Sequence, residues 1–211
     1  MSRGASKKTE SATLRGGGVV PPRERILQAA RALFYARGIR AVSVDDIAET
    51  AQTNKMTLYR HFESKDLLVA EYLRSLAREA DAIWEELARA HPNDPLAQLR
   101  AFVERIAATI AQSGDRGCAL ANAAIELPEK DHPARAVIEE HKTHQREQVA
   151  GLCSAAGFEE PERLADEIFL LLEGARVSIQ SVGHDAPGAR VGAMLCSLLR
   201  SSPRRERAQS A

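Results

Sequence analysis

Apolar residues recur every three or four positions along most of the chain, and this spacing predicts an all-α protein. Pro21 and Pro22 begin the first predicted helix, because proline is favoured in a first helical turn. Gly38 is placed to end that helix in a left-handed cap. No alternating pattern typical of strands stands out. Two short helices are predicted within 43–62, followed by longer ones at about 65–87, 96–111, 118–127, 134–155, 161–182 and 189–199.

The stretch 43–62, SVDDIAETAQTNKMTLYRHF, is predicted to hold two short helices joined by a tight turn. Ser43 and Asn54 precede these helices, where their side chains can accept hydrogen bonds from free backbone N–H groups. A helix as short as the second cannot persist alone, so we expect its apolar side, Leu58 and Phe62, to be packed. Its other side is then left free for a partner.

The free side of this second helix carries hydrogen-bond donors and no acidic residue: Lys55, Thr57, Tyr59, Arg60 and His61. Such a helix suits the major groove of DNA, where donors meet phosphates and short polar side chains meet base edges. A solvated helix in another kind of bundle stays open on geometry alone, since helical hairpins of this size are common.

The residues of this stretch resemble the DNA-binding region of TetR-type transcriptional regulators. The family's Ile-Ala pair is here Ile47-Ala48, its Leu-Tyr-x-His-Phe run is here 58–62, and its following lysine is Lys65. The resemblance covers about 23–73. It implies a three-helix helix-turn-helix DNA-binding domain followed by a helical ligand-binding and dimerisation domain. The family usually has glycine in the turn where this chain has Gln52, so a positive φ there would cost about 1 kcal/mol.

The predicted DNA-binding surface comprises Ser43, Asn54, Lys55, Thr57, Tyr59, Arg60, His61 and Lys65. Tyr59, His61 and Lys65 are expected to contact phosphates, whereas Thr57 and Lys55 are expected to face bases. Replacing Lys65 should therefore weaken binding to all sequences equally, and replacing Thr57 should change the preference between sequences. The first helix and the segment after it add basic residues that could reach phosphates: Arg23, Arg25 and Arg40.

The formal net charge of zero hides an asymmetric distribution. Residues 1–65 hold 12 Lys/Arg against 6 Asp/Glu, while the rest of the chain holds 17 against 23. A basic end can approach phosphate while an acidic body is repelled, which orients the encounter with DNA.

The chain is predicted to comprise a disordered basic tail (1–20), a helix-turn-helix domain (21–65), a helical effector-binding and dimerisation domain (66–202) and a disordered tail (203–211). The first tail is basic enough to touch DNA, although solvation alone is the more common role of such tails. Cys118, Cys153 and Cys196 are widely separated, which indicates reduced, buried thiols in a cytoplasmic protein. We expect no membrane span and no secretory signal.

The body is predicted to hold a small-molecule effector beside Trp84 and among polar groups that interrupt apolar helices: Cys118, Asn122, Glu126, His144, Glu173 and Arg176. For each one singly, a role in the core or in a surface ion pair is the competing interpretation. By resemblance, the helix after residue 64 would carry the signal from effector to DNA. The expected function is a dimeric, sequence-specific repressor that the effector releases from a palindromic operator.

The last two long helices, 161–182 and 189–200, are apolar on more than one side, which is typical of core elements or subunit interfaces. The resemblance implies that they pair with their copies in a homodimer, which would present two recognition helices to successive major grooves. Apolar residues outside the main buried stripe of each helix form what we call surplus apolar surface: Phe169, Leu170, Val177, Val191, Leu195, Leu198 and Leu199.

No pattern in the sequence supports catalysis, a cofactor or a metal strongly. Glu140, His141 and His144 have metal-ligand spacing on one helix. A di-metal bundle would need two Glu-x-x-His pairs, and only Glu129 to His132 fits, in a loop between prolines. The chain has no nucleophile elbow and no phosphate-binding loop. We therefore expect no enzyme; the alternative to a regulator is a helical small-molecule or metal sensor, or a scaffold, that does not bind DNA.

Overall fold

The computed structural model describes residues 20–112, 116–183 and 187–205, and these residues form the predicted all-α fold. A short 3₁₀ helix, Pro187–Arg190, precedes the last helix. None of the described helices combines the length and apolarity that a membrane span requires. The helices are α1 (Pro22–Arg37), α2 (Val44–Thr50), α3 (Lys55–His61), α4 (Lys65–Ala90), α5 (Pro95–Gln112), α6 (Ala119–Glu126), α7 (Pro133–Ala155), α8 (Pro161–Val182) and α9 (Val191–Ser201).

Helices α1 to α3 pack around a small apolar core, as their spacing predicted. Leu58 of α3 is fully buried, and Phe62 and Ile47 are buried with Phe34 of α1. The ring of Phe34 lies 5.6 Å from that of Tyr72, centroid to centroid, which joins α4 to the same core. This packing holds α3 by one side and leaves its opposite side facing outward.

The predicted helix caps at Ser43 and Asn54 are confirmed, and Ser64 caps α4 in the same way. Their side-chain oxygens accept hydrogen bonds from the third residue of the helix that follows, at 3.1, 2.9 and 3.1 Å. The carboxylate of Asp46 in turn accepts a hydrogen bond from the backbone N–H of Ser43 at 2.8 Å, which completes a capping box. Both short helices of the hairpin therefore begin at fixed residues.

The turns on either side of α2 have positive φ angles. Gln52 has a φ of 50°, so a glutamine occupies a conformation that glycine adopts without strain, as the sequence led us to expect. Gly38 ends α1 with a φ of 87° and a ψ of 157°. The predicted left-handed cap at Gly38 is therefore wrong, because that conformation needs a ψ of about 30–60°.

Two apolar clusters form the core of the protein. The first surrounds α1 to α3 and continues past the predicted boundary at residue 65 into α4, α6 and the start of α7. The second lies among α5, α7, α8 and α9, with Phe102, Ile168 and Leu195 at its centre. Helix α6 is thus part of the packing around the helix-turn-helix unit.

Two expectations about the body need correction. Only Cys153 is buried, and this burial raises the pKa of its thiol to about 12; Cys118 and Cys196 are partly exposed. On α9, Val191, Leu195 and Leu199 are buried in the second cluster, so they are not surplus apolar surface. They face inward because α9 packs on α5. On α8, in contrast, Leu170 and Val177 are exposed.

Candidate functional site

The outward side of α3 is the surface that the sequence predicted. Lys55, Tyr59, Arg60 and His61 are exposed and Thr57 is half-buried, opposite the buried Leu58. None of the seven residues of α3 is acidic. An exposed, acid-free helix that is held firmly from behind can enter the major groove without repelling phosphate.

Two predicted base- or phosphate-contacting residues already have partners within the chain. The ammonium of Lys55 lies 3.1 Å from the carboxylate of Asp45, in an exposed ion pair that a phosphate could replace at little cost. Lys65 donates a hydrogen bond from Nζ to the carbonyl oxygen of Ile39 at 2.7 Å. Burial lowers the pKa of Lys65, and this lysine ties α4 to the segment that joins α1 and α2.

Ser43 and Asn54 were predicted to belong to the DNA-binding surface, and the structure uses their side-chain oxygens as helix caps. The hydroxyl of Ser43 also donates to Asp46 at 2.7 Å, and this hydrogen bond lowers the pKa of that carboxyl. Direct contact of either residue with DNA stays a prediction.

One exposed residue on α3 was missed. Met56 is 84% exposed, more than any other large apolar side chain in the described ranges. The predicted surface consisted of hydrogen-bonding side chains, and a methionine is not one of them. Its signal was an apolar residue two positions from Leu58 and therefore on the opposite side of a helix.

The junction between α1 and α6 is held by Glu126, which the sequence placed in an effector pocket. Its Oε2 accepts hydrogen bonds from the backbone N–H groups of Ile39 at 2.6 Å and Arg40 at 3.2 Å. Arg116 donates to the carbonyl oxygen of Ala36 at 2.8 Å. The carboxylate of Glu126 thus satisfies free backbone groups beyond the end of α1. Its place in an effector pocket stays a prediction.

Glycine at position 38 makes this junction possible. A Cβ at Gly38 would lie 3.1 Å from both carboxylate oxygens of Glu126 and 3.3 Å from the guanidinium of Arg116. Only a residue without a side chain lets the two charged groups approach the backbone so closely at this φ.

The other residues assigned to the pocket are spread over α4, α6, α7 and α8. The amide of Asn122 donates to the carbonyl of Arg116 and accepts from Gln180 of α8 at 3.0 Å, while Cys118 precedes α6 as its N-cap residue. Trp84 stacks on Phe102 with 4.4 Å between ring centroids. All three contribute to packing within the body, and their role in an effector pocket stays a prediction.

Glu173 and Arg176 form a partly buried ion pair that Lys142 joins. The ammonium of Lys142 lies 2.7 Å from the carboxylate of Glu173, and Arg176 donates to the same oxygen. Burial alone would raise the pKa of Glu173, but the two cations outweigh it and lower that pKa. A carboxylate already shared by two cations is poorly placed to bind a further ligand.

Asn122 and Glu126 line one open cleft beside Gln180, and His144 lines a second one. This second cleft lies between α4 and α7 and has a volume of about 410 Å³. Its polar wall includes His141, which is buried and has an Nδ1 with no hydrogen-bond partner. Burial lowers the pKa of His141, because the low-polarity surroundings favour the neutral ring. The full lining is Arg74, Ala77, Arg78, Asp81, Val137, Glu140, His141 and His144.

Metal-ligand spacing at Glu140, His141 and His144 does not become a metal site in the part of the chain that the structure describes. There, no group of three or more His, Cys, Asp or Glu side chains comes together in a geometry that could hold an ion.

A three-helix helix-turn-helix unit joined by a long helix to a helical body defines a class of bacterial transcriptional regulators. The family model described as "Bacterial regulatory proteins, tetR family" matches residues 26–72. A second model, for the C-terminal domain of LmrA/YxaF-like transcriptional regulators, matches residues 95–194. The chain belongs to the TetR family.

Relatives of known name and structure agree with this membership. The HTH-type transcriptional repressor KstR2 of Rhodococcus jostii is 38% identical over 81 residues, which are 38% of this chain and 39% of that protein. KstR2 of Mycolicibacterium smegmatis is 44% identical over 52 residues, 25% of each chain. The chain thus matches only about a quarter to two fifths of these relatives' length.

Among solved structures, the TetR-family transcriptional regulator SCO4454 from Streptomyces coelicolor has a TM-score of 0.79 and 29% identity. The alignment covers 86% of this chain and 95% of that protein. Similarity to a solved regulator therefore extends over both the helix-turn-helix unit and the body.

Proposed function

We propose that this protein is a dimeric repressor that binds a palindromic DNA operator through α3 and is released by a small-molecule effector. One observation carries the proposal: an exposed, acid-free α3 is held outward by the buried Leu58 and Phe62. The names of the KstR2 relatives, which are repressors, support the direction of regulation.

Dimerisation is supported by apolar side chains on the surface of the last two helices. Leu170 and Val177 of α8 are 68% and 54% exposed, and Met194 of α9 is exposed as well. Leu170 and Val177 are seven residues apart, so they lie on one side of α8. Pairing this face with its copy would bury these side chains. A dimer that reads two half-sites needs its two α3 helices about 34–36 Å apart, the spacing of successive major grooves.

The dimer face can be tested with Val177→Glu and, as a matched control, Ile125→Glu, since Ile125 of α6 is equally apolar and 76% exposed. A charge buried in a paired interface is costly, so Val177→Glu should sediment as a monomer at micromolar concentration while Ile125→Glu remains dimeric. Dimers of both variants would show that α8 lies outside the interface.

For the effector we propose the cleft between α4 and α7. Its volume falls in the range of small-molecule sites, and the buried Nδ1 of His141 lacks a partner that a ligand could supply. Helix α4 lines this cleft and also packs on the core behind α3, through Tyr72. A ligand that binds better to one position of α4 than to another shifts the equilibrium between these positions, to an extent set by the difference in affinity. The spacing of the two α3 helices changes with the position of α4.

The test of DNA binding begins with selection of duplexes by the purified full-length protein from a random pool. We expect enrichment of an inverted repeat whose half-sites are about 10 base pairs apart, bound by two protomers per duplex, with affinity that falls steeply with salt. Failure to enrich any sequence, together with weak binding that ignores salt, would support a scaffold or sensor that does not bind DNA.

A further inference from the structure

Met56 occupies the centre of the outward side of α3. Successive helical residues are about 100° apart, so Met56 and Arg60 point about 160–200° away from the buried Leu58. Thr57 and Tyr59 lie to either side of that direction. When the buried side of α3 faces the core, Met56 and Arg60 therefore reach deepest into whatever lies in front of the helix.

Met56 also lies near the N-terminal end of α3. Met56 is the second residue of α3, and the N-terminal residues of a recognition helix are the ones that reach base edges. The side chain is 84% exposed, and no hydrogen bond or ring contact in the described ranges involves it. A single exposed apolar residue is ordinary on a protein surface. Here it stands among donors, at the point of closest approach to DNA.

The chemistry of the thioether restricts what Met56 can recognise. It has no strong donor or acceptor, so it cannot read the hydrogen-bonding edges of guanine, adenine or cytosine. The apolar group that the major groove offers is the C5-methyl of thymine. We propose that Met56 reads a thymine in each half-site by packing its side-chain end against that methyl group. This proposal rests on the proposed binding of DNA through α3.

Removing the methyl from the DNA tests the contact directly. In the selected operator, each thymine is replaced in turn by deoxyuridine, symmetrically in both half-sites, and affinity is measured for the wild type, Met56→Ala and Met56→Leu. Burial of one methyl corresponds to about fourfold in affinity, so one symmetric pair should weaken wild-type binding by roughly 15-fold. Met56→Leu should keep much of this dependence, whereas Met56→Ala should lose it.

A double-mutant cycle separates this contact from other effects of the substitution. With Met56→Ala, the thymine and deoxyuridine operators should bind equally at the position that Met56 reads. Met56→Ala should unfold at the same temperature as the wild type, because the side chain is exposed.

Several outcomes would overturn the proposal. They are a selected half-site without thymine within reach of α3, a wild type indifferent to every deoxyuridine, or a methyl dependence unchanged in Met56→Ala. In each of these cases specific binding persists and only the role of Met56 fails. Loss of all sequence-specific binding, in contrast, contradicts the proposed function as well.

Discussion

The outward side of α3 and the junction between α1 and α6 both carry charged and polar residues, but they differ in how many of these residues have partners within the chain. On α3, Lys55 pairs with Asp45. Arg60 and His61 on α3 have no hydrogen bond or ion pair within the described ranges. At the junction, Glu126, Arg116 and Asn122 all bind backbone or side-chain groups of their own chain. Unoccupied donors suit a partner outside the chain, whereas occupied ones fix the position of one element against another.

The largest effect should follow from adding a side chain to the junction. Gly38→Ala forces a positive φ on alanine and pushes against Glu126, so we expect a loss of about 1–3 kcal/mol in the free energy of unfolding. Chemical denaturation of the full chain measures it.

Gly151→Ala is the matched control, because a Cβ at Gly151 of α7 would meet no atom within 4 Å. Alanine there should stabilise the protein by about 0.5–1 kcal/mol. If Gly38→Ala raised the free energy of unfolding as Gly151→Ala does, the close approach at Gly38 would have no energetic consequence.

Removing one charge at the junction should have a smaller effect. Glu126→Gln keeps an oxygen for the N–H groups of Ile39 and Arg40 but loses charge assistance, so about 1 kcal/mol of unfolding free energy should be lost. DNA affinity should fall with it, since the segment before α2 loosens.

Glu129→Gln provides the comparison at an exposed site. Glu129 pairs with Arg40 at 2.8 Å on the surface, and such pairs contribute about 0–1 kcal/mol. Equal losses of stability in the two variants would mean that Glu126 behaves like any surface carboxylate.

Sequence reasoning succeeded where local spacing decides the structure. Leu58, Phe62 and Phe34 were expected in the core because apolar residues at helical spacing must face inward. Ser43 and Asn54 were expected as caps because their side chains suit the first turn of a helix. Both kinds of signal act within a few residues, so the helix-turn-helix unit was predictable.

The junction could not be predicted in the same way. Glu126 contacts Ile39, 87 positions earlier in the chain, and no local pattern reveals such a partner. The ion pairs of Glu173 were likewise not predicted. One of its partners, Lys142, lies on α7, and the other, Arg176, lies one turn further along α8. The sequence shows that a polar group interrupts an apolar helix, but its partner depends on tertiary packing.

The smallest stability effect should appear as a dependence on pH in the cleft. The pKa of His141 is lowered in the folded protein. As the pH falls below about 6.5, this imidazole therefore takes up a proton in the unfolded chain at a higher pH than in the folded protein. Folding stability should therefore decrease with falling pH in that window, by at most about 1.4 kcal/mol per pH unit from this residue. The charged and titratable groups that act on His141 are Lys142, Asp81, His144 and Arg176.

Denaturation of the wild type and His141→Gln between pH 8 and pH 5 isolates this contribution. The wild type should lose more stability than the variant as the pH falls. Parallel curves for the two proteins would show that the ring of His141 titrates alike in the folded and unfolded chains.

The salt dependence of operator binding tests most directly whether the outward side of α3 meets DNA. Arg60→Ala is compared with Arg100→Ala, since both arginines are exposed and have no ion pair in the described ranges, and Arg100 lies on α5 of the body. If α3 lies in the major groove, Arg60→Ala should weaken binding and Arg100→Ala should leave it unchanged.

If Arg60 contacts a phosphate, the slope of log affinity against log salt should be shallower by about one in Arg60→Ala. If Arg60 contacts a base, this variant should instead show relaxed preference at one position of the operator. Equal affinity, slope and preference in both variants and the wild type would contradict the central claim.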